Sequence, residues 1–231
     1  MKNENNENNN LETNRRSPFA EELTPDNAAC LLIDHQTGLL QFLPSIEPTV
    51  LKNNILGLAK TAKAFNLPIV MGTSWAAGPN GPTMPELREL LPDIEPIERP
   101  FVNFWNDPKS RAAVEATGRK KLIIAGLATE VCVAFPSIAA VQDGYDVYAV
   151  IDASADWNPL VQQVTTARLA SAGVVVTTWV AVLGELARNT QDNGKYIAQF
   201  LRQHVGSYGA AWDNFMATSA NAADIAKAVN A

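Results

Sequence analysis

Short apolar runs of strand length alternate with amphipathic stretches from Asn27 onward. The runs are mostly continuous rather than strictly alternating, and they are rich in Val and Ile. This pattern is typical of strands that are buried on both faces of a parallel sheet. The predicted strands are Ala28–Asp34, Pro68–Thr73, a weaker one at Ile97–Arg99, Lys121–Gly126, Tyr145–Asp152 and Gly173–Thr178.

Segments with helical spacing of apolar residues lie between these strands. The predicted helices are Val50–Phe65, Met84–Leu91, Ser110–Thr117, Val133–Gln142 and Val161–Ala172. Six alternations of strand and helix predict an α/β fold, a three-layer αβα sandwich around a six-stranded, mainly parallel, doubly wound sheet. After Val180 the pattern is helical, and a last amphipathic helix at Ala222–Val229 offers a surface for a partner subunit.

The two ends of the chain differ in composition from its centre. Residues 1–16 are rich in Asn and Glu and nearly free of large apolar groups, so we expect a flexible N-terminal arm. The alternative is that this arm lies over a neighbouring subunit. Residues 17–208 are expected to form the main folded domain, and residues 209–231 a helical extension.

Composition and charge exclude several classes of protein. The chain has 231 residues and a formal net charge of −6, so it has no basic footprint for nucleic acid. Its two cysteines are too few for a disulfide framework or a four-thiolate zinc site, and they suit a reducing compartment. No apolar run is long enough to span a membrane, and no signal sequence is recognisable. We therefore expect a cytoplasmic protein that binds neither nucleic acid nor membranes.

Open parallel sheets bind ligands at the carboxyl ends of their strands, where the strand order reverses. In the common order 3-2-1-4-5-6, the first and fourth strands are neighbours at that point. Asp34 follows the first strand and Cys132 follows the fourth. The pattern alone therefore predicts that Asp34 and Cys132 face each other across one crevice.

Cys132 lies where a strand leads into a helix. Pro136 is tolerated only in a first helical turn, so we expect the helix to begin near Cys132 or Val133. Unpaired N–H groups and the helix dipole would then lower the pKa of the thiol, and the same groups could stabilise an oxyanion. The alternative is a buried structural thiol.

Other candidate chemistry is weak. Asp34 could instead cap a helix or begin a turn, and Cys30, in the middle of the first strand, is expected to belong to the core. The only histidines are His35 and His204, and no metal-ligand spacing occurs, so no metal site is predicted. No phosphate-binding glycine loop and no G-x-S-x-G elbow is present.

Three segments in order resemble the isochorismatase-like cysteine hydrolases: LLIDHQTGLL, TSWAAGPNGPTMPEL and IIAGLATEVCVAFPSIAA. The resemblance extends into GYDVYAVIDASAD and is strongest to the YcaC-type branch of that superfamily. It runs from about residue 18 to about residue 205, leaving both ends of the chain outside.

The resemblance implies an acid, a basic residue and a cysteine that act together on amide-like carbonyl substrates. Asp34 matches the acid and Cys132 the nucleophile, while Arg99 stands where the family usually has lysine. Arginine stays protonated, so Arg99 could hold anions but is a poor acid or base. The alternative for Arg99 is a surface ion pair. The resemblance also implies a cis peptide bond at Leu127–Ala128, with the N–H groups of Ala128 and Cys132 as an oxyanion hole.

The expected pocket contains Phe42, Trp75, Asn103 and Trp105, although each aromatic residue could equally belong to the core or an interface. Together with Arg99, these residues would suit a small substrate, including one with negative charge. The metal ligands of the nicotinamidase branch are missing, so neither a metal nor another cofactor is predicted.

The sequence thus predicts a hydrolase that cleaves a C–N or related bond through a thioester on Cys132. One alternative is a redox-responsive protein, since a cysteine at a helix N-terminus is also used by oxidant sensors. Another is an inactive oligomer of the same fold. The expected partners are a small-molecule substrate and further copies of the chain, since the resemblance implies closed assemblies and octamers in the YcaC-type branch.

Overall fold

A six-stranded parallel sheet forms the centre of the computed structural model, which describes residues 17–219 and 222–230. The strands are β1 (Ala28–Ile33), β2 (Ile69–Ser74), β3 (Ile97–Arg99), β4 (Lys121–Gly126), β5 (Asp146–Val150) and β6 (Val175–Thr177). Their order is β3-β2-β1-β4-β5-β6, and all five pairings are parallel. The predicted strand order is therefore confirmed, and the sheet is wholly rather than mainly parallel.

Helices cover both faces of this sheet. They are α1 (Thr37–Phe42), α2 (Pro48–Ala64), α3 (Pro85–Leu90), α4 (Pro108–Ala116), α5 (Ala134–Gln142), α6 (Pro159–Ser171), α7 (Trp179–Ala187), α8 (Thr190–His204), α9 (Gly206–Thr218) and α10 (Ala222–Asn230). The buried apolar side chains form two clusters, one on each face of the sheet. Every residue of β1 is buried, as the continuous apolar run predicted.

Several helices begin earlier than their apolar spacing indicated. A proline opens α2, α4 and α6, where its missing N–H is not needed. The residue before each proline is Glu47, Asp107 or Asn158, and its side chain accepts a backbone N–H of the first turn. The first turns of these helices are polar and lie outside the apolar stripe, which is why the spacing of apolar residues did not predict them.

The C-terminal part is helical, as predicted. The proposed limit between residues 208 and 209 falls inside α9, which has no buried residue. Helix α10 contacts α8 and α9 of the same chain. Residues 1–16, the predicted arm, lie outside the described residues. Within the part that the structure describes, no helix combines the length and apolar character needed to cross a membrane.

Candidate active site

The central strands bring Asp34 and Cys132 to the same crevice. Strands β1 and β4 pair in register up to Ile33 and Gly126, so the residues that follow both strands leave the sheet side by side. Asp34 comes directly after β1, and Cys132 lies in a π-helical turn, Thr129–Val133, that connects β4 to α5. The thiol of Cys132 is hydrogen-bonded to the carboxylate of Asp34.

Asp34 adopts a left-handed backbone conformation, with φ at 58°. This region is uncommon for residues other than glycine and costs free energy unless the surroundings hold it. Two backbone hydrogen bonds do so: the Asp34 N–H donates to the Gly72 carbonyl at 2.8 Å, and the Gln36 N–H donates to the Asp34 carbonyl at 2.7 Å. Because of this turn, the direction of the Asp34 side chain does not follow the alternation of side chains along β1.

Arg99, at the end of β3, forms a two-pronged ion pair with Asp34. The guanidinium Nη1 and Nη2 donate to the two carboxylate oxygens, each at 2.6 Å, and both side chains are fully buried. The Phe104 ring lies beneath the guanidinium, 5.5 Å from its centroid. Gly72 permits this arrangement because a Cβ there would come within 2.6 Å of the Phe104 ring. Arg99 is therefore a buried partner of Asp34 and not a surface residue.

Arg99 remains a fixed positive charge. Burial lowers the pKa of the guanidinium, but its hydrogen bonds to Asp34 and the Asp34 charge outweigh that effect and leave the pKa above its ordinary value. Arg99 also interacts with Cys132, both by charge and by a hydrogen bond. It can hold a carboxylate and a thiolate in place but cannot exchange protons with them.

The prediction that the pKa of Cys132 is lowered is wrong. Burial raises the pKa of the thiol well above its ordinary value, and the Asp34 charge and the hydrogen bond to Asp34 raise it further. Arg99 and the backbone N–H of Ala128 lower it, but by less. The resting pair is therefore a neutral thiol that donates to an acceptor, as in a nucleophile activated by a neighbouring base.

This arrangement predicts the pH dependence of thiol alkylation. We expect iodoacetamide to label Cys132 in the native protein with a midpoint above the value of about 8.5 for a free thiol. Asp34→Asn should move that midpoint to lower pH, because it removes the charge and the hydrogen bond that favour the thiol. The measurement is the alkylation rate against pH, resolved by peptide mass spectrometry.

Cys30 provides the internal control for this measurement. It is fully buried in β1, and burial raises its pKa to about 12, so it should label only when the protein unfolds. A Cys132 midpoint below about 8.5 in the unmodified protein would contradict the neutral-thiol arrangement.

The two predicted oxyanion donors differ in their environments. The helical backbone begins at Thr129, one turn earlier than predicted, and the Cys132 N–H donates to the Ala128 carbonyl at 2.7 Å. Pro136 cannot donate to the Cys132 carbonyl four residues earlier, and the wider π turn lies at this point. The Leu127–Ala128 peptide bond is cis, and the Ala128 N–H is directed at the Cys132 sulfur. Ala128 thus presents its N–H to the reacting atom, whereas that of Cys132 is already paired.

A cavity of about 660 Å³ opens beside the thiol. Its lining residues are Ser74, Trp75, Asn80, Glu98, Arg99, Pro100, Phe101, Val102, Val131 and Cys132. The Ser74 hydroxyl donates to Asp34 at 3.2 Å, and the Asn80 amide donates to the Ser74 carbonyl at 2.9 Å. Buried Gln36 joins the same network through the Ser74 backbone. The loop after β2 is thereby held against the Asp34 carboxylate.

Of the four residues expected in the pocket, only Trp75 lines this cavity. Phe42 ends α1, is half exposed and does not line the cavity. Trp105 is buried, packs edge-to-face on Tyr145 and donates its indole N–H to Asp143 at 2.7 Å. Asn103 caps the turn that contains Trp105. Position after a strand therefore did not identify which aromatic residues face the crevice.

Sequence reasoning missed six lining residues: Asn80, Glu98, Pro100, Phe101, Val102 and Val131. For all of these except Asn80, closeness in sequence to Arg99 or Cys132 was the available signal. It missed the positioning role of Gln36 as well, although Gln36 stands two residues after Asp34. Among the described residues, no three His, Cys, Asp or Glu side chains lie close enough together to hold a metal ion.

The fold and the site together define the class of this protein. It is an α/β protein that brings an acid, an arginine and a cysteine together where the order of its parallel strands reverses. The isochorismatase domain profile matches residues 28–181, and the chain belongs to the isochorismatase family. Within that family it falls in the YcaC-type branch. It is an isochorismatase-family hydrolase of unknown specificity.

Three comparisons support this placement. The chain is 44% identical to probable hydrolase YcaC of Escherichia coli K12 over 187 residues, which are 80% of this chain and 90% of the relative. The structure of the Escherichia coli YcaC gene product, described as an octameric hydrolase of unknown specificity, matches with a TM-score of 0.84 and 41% identity, covering 86% of this chain and 98% of that one. YcaC from Pseudomonas aeruginosa, with hexane-2,5-diol and covalent acrylamide, matches with a TM-score of 0.83 and 41% identity, covering 85% and 98%.

Proposed function

We propose that this protein hydrolyses small amide (C–N) or related carbonyl substrates through a thioester on Cys132. The observation that carries the proposal is the contact between the Cys132 thiol and an Asp34 carboxylate that Arg99 holds from its other side. A thiol donating to a fixed carboxylate, at the wall of a cavity, is a nucleophile beside its base.

In the first half of the reaction, Asp34 accepts the thiol proton while the sulfur attacks the carbonyl carbon. The Ala128 N–H, which faces the sulfur at rest, donates to the oxyanion that forms. Asp34 then returns the proton to the leaving nitrogen, the C–N bond breaks, and the acyl group remains on sulfur. Arg99 keeps the Asp34 carboxyl group oriented throughout.

In the second half, water attacks the thioester carbonyl and Asp34 accepts its proton. The C–S bond breaks, the acid is released, and Asp34 returns the proton to the Cys132 sulfur. The Cys132 N–H can stabilise the oxyanion only if it leaves the Ala128 carbonyl, to which it is bonded at 2.7 Å. One backbone donor therefore serves this site in its resting geometry.

The covalent acrylamide in the Pseudomonas aeruginosa relative supports a reactive nucleophile in this branch of the family. The redox alternative gains no support from the site, because the pKa of Cys132 is raised and a sensor needs a thiolate. Cys30, buried within β1, is also poorly placed to resolve an oxidised Cys132.

We propose that the protein works as a homo-oligomer, as the octameric Escherichia coli relative does. Trp157 lies just before α6, and Leu160 and Val164 lie in its first two turns; all three are at least half exposed. Leu160 and Val164 are four residues apart and share one face of the helix, which suits contact with another subunit. The two free cysteines fit the reducing cytoplasm.

The test of the proposed function is to trap the acyl-enzyme. We expect p-nitrophenyl acetate to release a burst of nitrophenolate and leave one acetyl group on Cys132, identified by peptide mass spectrometry after an acid quench. A panel of short amides then reports the preferred acyl group. Acetylation that occurs only on lysine side chains, with no burst, would contradict the proposal.

A further inference from the structure

The loop that follows β5 holds the turn that carries Cys132. We call the π-helical segment Thr129–Val133 the nucleophile turn. The first N–H groups of a helical turn have no acceptor within the turn itself. Here the neighbouring loop supplies two acceptors: the Thr129 N–H donates to the Ala155 carbonyl at 2.9 Å, and the Glu130 N–H donates to the Asp156 carboxylate Oδ2 at 3.1 Å.

Asp156 is itself fixed from two sides. Its N–H donates to the Ser45 hydroxyl at 2.7 Å, and its carbonyl accepts the Ser45 N–H at 3.0 Å. The Thr165 hydroxyl of α6 donates to the same carboxylate oxygen, Oδ2, at 3.4 Å, and the residue is fully buried. The oxygen that meets the Glu130 N–H is therefore held in place by parts of the chain outside the nucleophile turn.

A charged group at this position is unfavourable for the stability of the fold. The second carboxylate oxygen of Asp156, Oδ1, is buried and makes no hydrogen bond among the described residues. Burial and the negative charge of Glu130 raise the pKa of the Asp156 carboxyl to about 6, although its hydrogen bonds act in the opposite direction. An asparagine could accept the Glu130 N–H without a buried charge. The carboxylate therefore calls for an explanation other than stability.

The charge of Asp156 acts on the nucleophile turn and not directly on the thiol. Three other residues shift the pKa of the Cys132 thiol: Asp34, Arg99 and Ala128. Glu130 lies two residues after Ala128, whose N–H is directed at the sulfur, and two residues before Cys132. A hydrogen bond to an ionised acceptor is roughly twice as strong as a neutral one. Ionised Asp156 therefore fixes the segment between the Ala128 donor and the Cys132 nucleophile more firmly than a neutral group would.

We propose, on the basis of the hydrolase function above, that Asp156 is a positioning residue: its ionised carboxylate holds the Glu130 N–H and thereby keeps the Ala128 N–H and the Cys132 sulfur in the geometry that thioester formation requires. Asp156 is not among the residues that line the catalytic cavity. Its effect should therefore fall on the rate of acylation and not on substrate affinity. The effect should also disappear when the carboxyl group is protonated.

The test compares Asp156→Asn with the unmodified protein between about pH 5 and about pH 8. The readout is the rate at which p-nitrophenyl acetate acetylates Cys132, followed by peptide mass spectrometry after an acid quench and expressed as the unmodified rate divided by the variant rate. Asp34 is present in both proteins, so its own titration cancels in this ratio. The alkylation midpoint of Cys132 should be the same in both proteins, because Asp156 does not act directly on the thiol.

We expect a ratio of about ten at about pH 8, where Asp156 is ionised, because a small misplacement of reacting groups slows a reaction strongly. The ratio should fall close to one at about pH 5, where the side chain at this position is uncharged in both proteins. The change should be centred near the pKa of Asp156, about 6.

The matched control is Asp152→Asn. Asp152 lies in the same loop after β5, and burial raises its pKa to about 6 as well. Its carboxylate accepts the Trp179 N–H at 2.9 Å, so its partner is the beginning of α7 and not the nucleophile turn. Asp152→Asn thus removes a carboxyl group that titrates over the same range, and its ratio should not vary with pH.

Glu130→Gln tests the same point without altering Asp156, and it decides the matter if Asp156→Asn does not fold. Gln keeps an acceptor for the Trp157 indole N–H, which donates to the Glu130 carboxylate at 2.8 Å, but it removes the charge that raises the pKa of Asp156. Asp156 should then stay ionised to lower pH. The acylation rate of Glu130→Gln, divided by the unmodified rate, should be near one at about pH 8 and should rise above one below about pH 6.

A ratio for Asp156→Asn that stays near one, or that is large but constant with pH, would overturn the proposal and leave the hydrolase function standing. The hydrolase function fails in a different way, since no acetyl group would then form on Cys132 in any of these proteins. In that event, amide hydrogen exchange at Glu130 decides the role of Asp156. Faster exchange in Asp156→Asn at about pH 8 would support its hold on the nucleophile turn, and unchanged exchange would refute it.

Discussion

Cys132→Ala is expected to abolish the nitrophenolate burst and the acetyl adduct, and to lower turnover of any amide substrate by about a thousandfold or more, as loss of a catalytic nucleophile does. No other side chain can form the thioester, because the second cysteine of the chain, Cys30, is fully buried within β1. The measurements are burst amplitude, intact-protein mass and steady-state turnover.

This variant should fold normally. The thiol is partly exposed at the cavity wall, so its removal leaves no closed void in the core. Asp34 loses its contact with the thiol but keeps both hydrogen bonds to Arg99. We expect the free energy of unfolding to change by less than about 1 kcal/mol. Circular dichroism and denaturant unfolding would verify that lost activity is not lost structure.

The matched control is Cys30→Ala, in the fully buried first strand. It should keep the burst and the adduct, while losing about 1–2 kcal/mol of stability because it leaves a small void in the sheet's core. The two variants thus have opposite effects on chemistry and on stability. Retained turnover in Cys132→Ala would refute the thioester mechanism.

Asp34→Asn is expected to affect both stability and activity. The Arg99 guanidinium would remain fully buried without its counter-ion, and breaking such a pair typically costs about 3–5 kcal/mol. Loss of the base should also slow thioester formation by about a hundredfold or more. The measurements are the free energy of unfolding and the rate of the acetylation burst.

Two further variants separate these effects. Glu86→Gln breaks the half-exposed Lys52–Glu86 ion pair and should cost less than about 1 kcal/mol, because solvent screens it. Asp34→Asn combined with Arg99→Gln removes both buried charges, so we expect it to be more stable than the sum of the single changes predicts.

The stability of the double variant depends on the coupling between the Asp34 and Arg99 charges. If the double variant shows simple additivity, Asp34 and Arg99 do not stabilise each other as a buried pair. If Asp34→Asn retains the full burst rate at neutral pH, Asp34 is not the base. Either result can occur without the other, since the first tests packing and the second tests chemistry.

Much of the architecture was predictable because a strand that is buried on both faces is apolar at every position. The run AACLLI is apolar at every position, and it forms a strand with neighbours on both sides. Right-handed crossovers and the commonest strand order were then enough to place Asp34 beside Cys132. Helix α1 was missed because it is one short amphipathic stretch with a single buried residue, Leu39.

The site was predicted in part. Asp34, Arg99 and Cys132 follow strand ends, and strand ends are what periodicity locates well. Phe42 and Trp105 also follow strands, but they lie outside the cavity because loops can turn either way after leaving a sheet. The residues of the actual wall, Phe101 and Val102, have no periodic signal at all.

The sequence by itself determined the sheet, its order and the residues that meet at its switch point, since these follow from short-range patterning and chain handedness. Tertiary structure alone decided the electrostatics. A helix N-terminus would lower the pKa of Cys132, but the actual burial and the proximity of Asp34 raise it. Arg99 would attract an anion if it stood alone, but two hydrogen bonds pair it with Asp34. Charge interactions depend on distance and burial, which arise only when residues far apart in the chain are packed together.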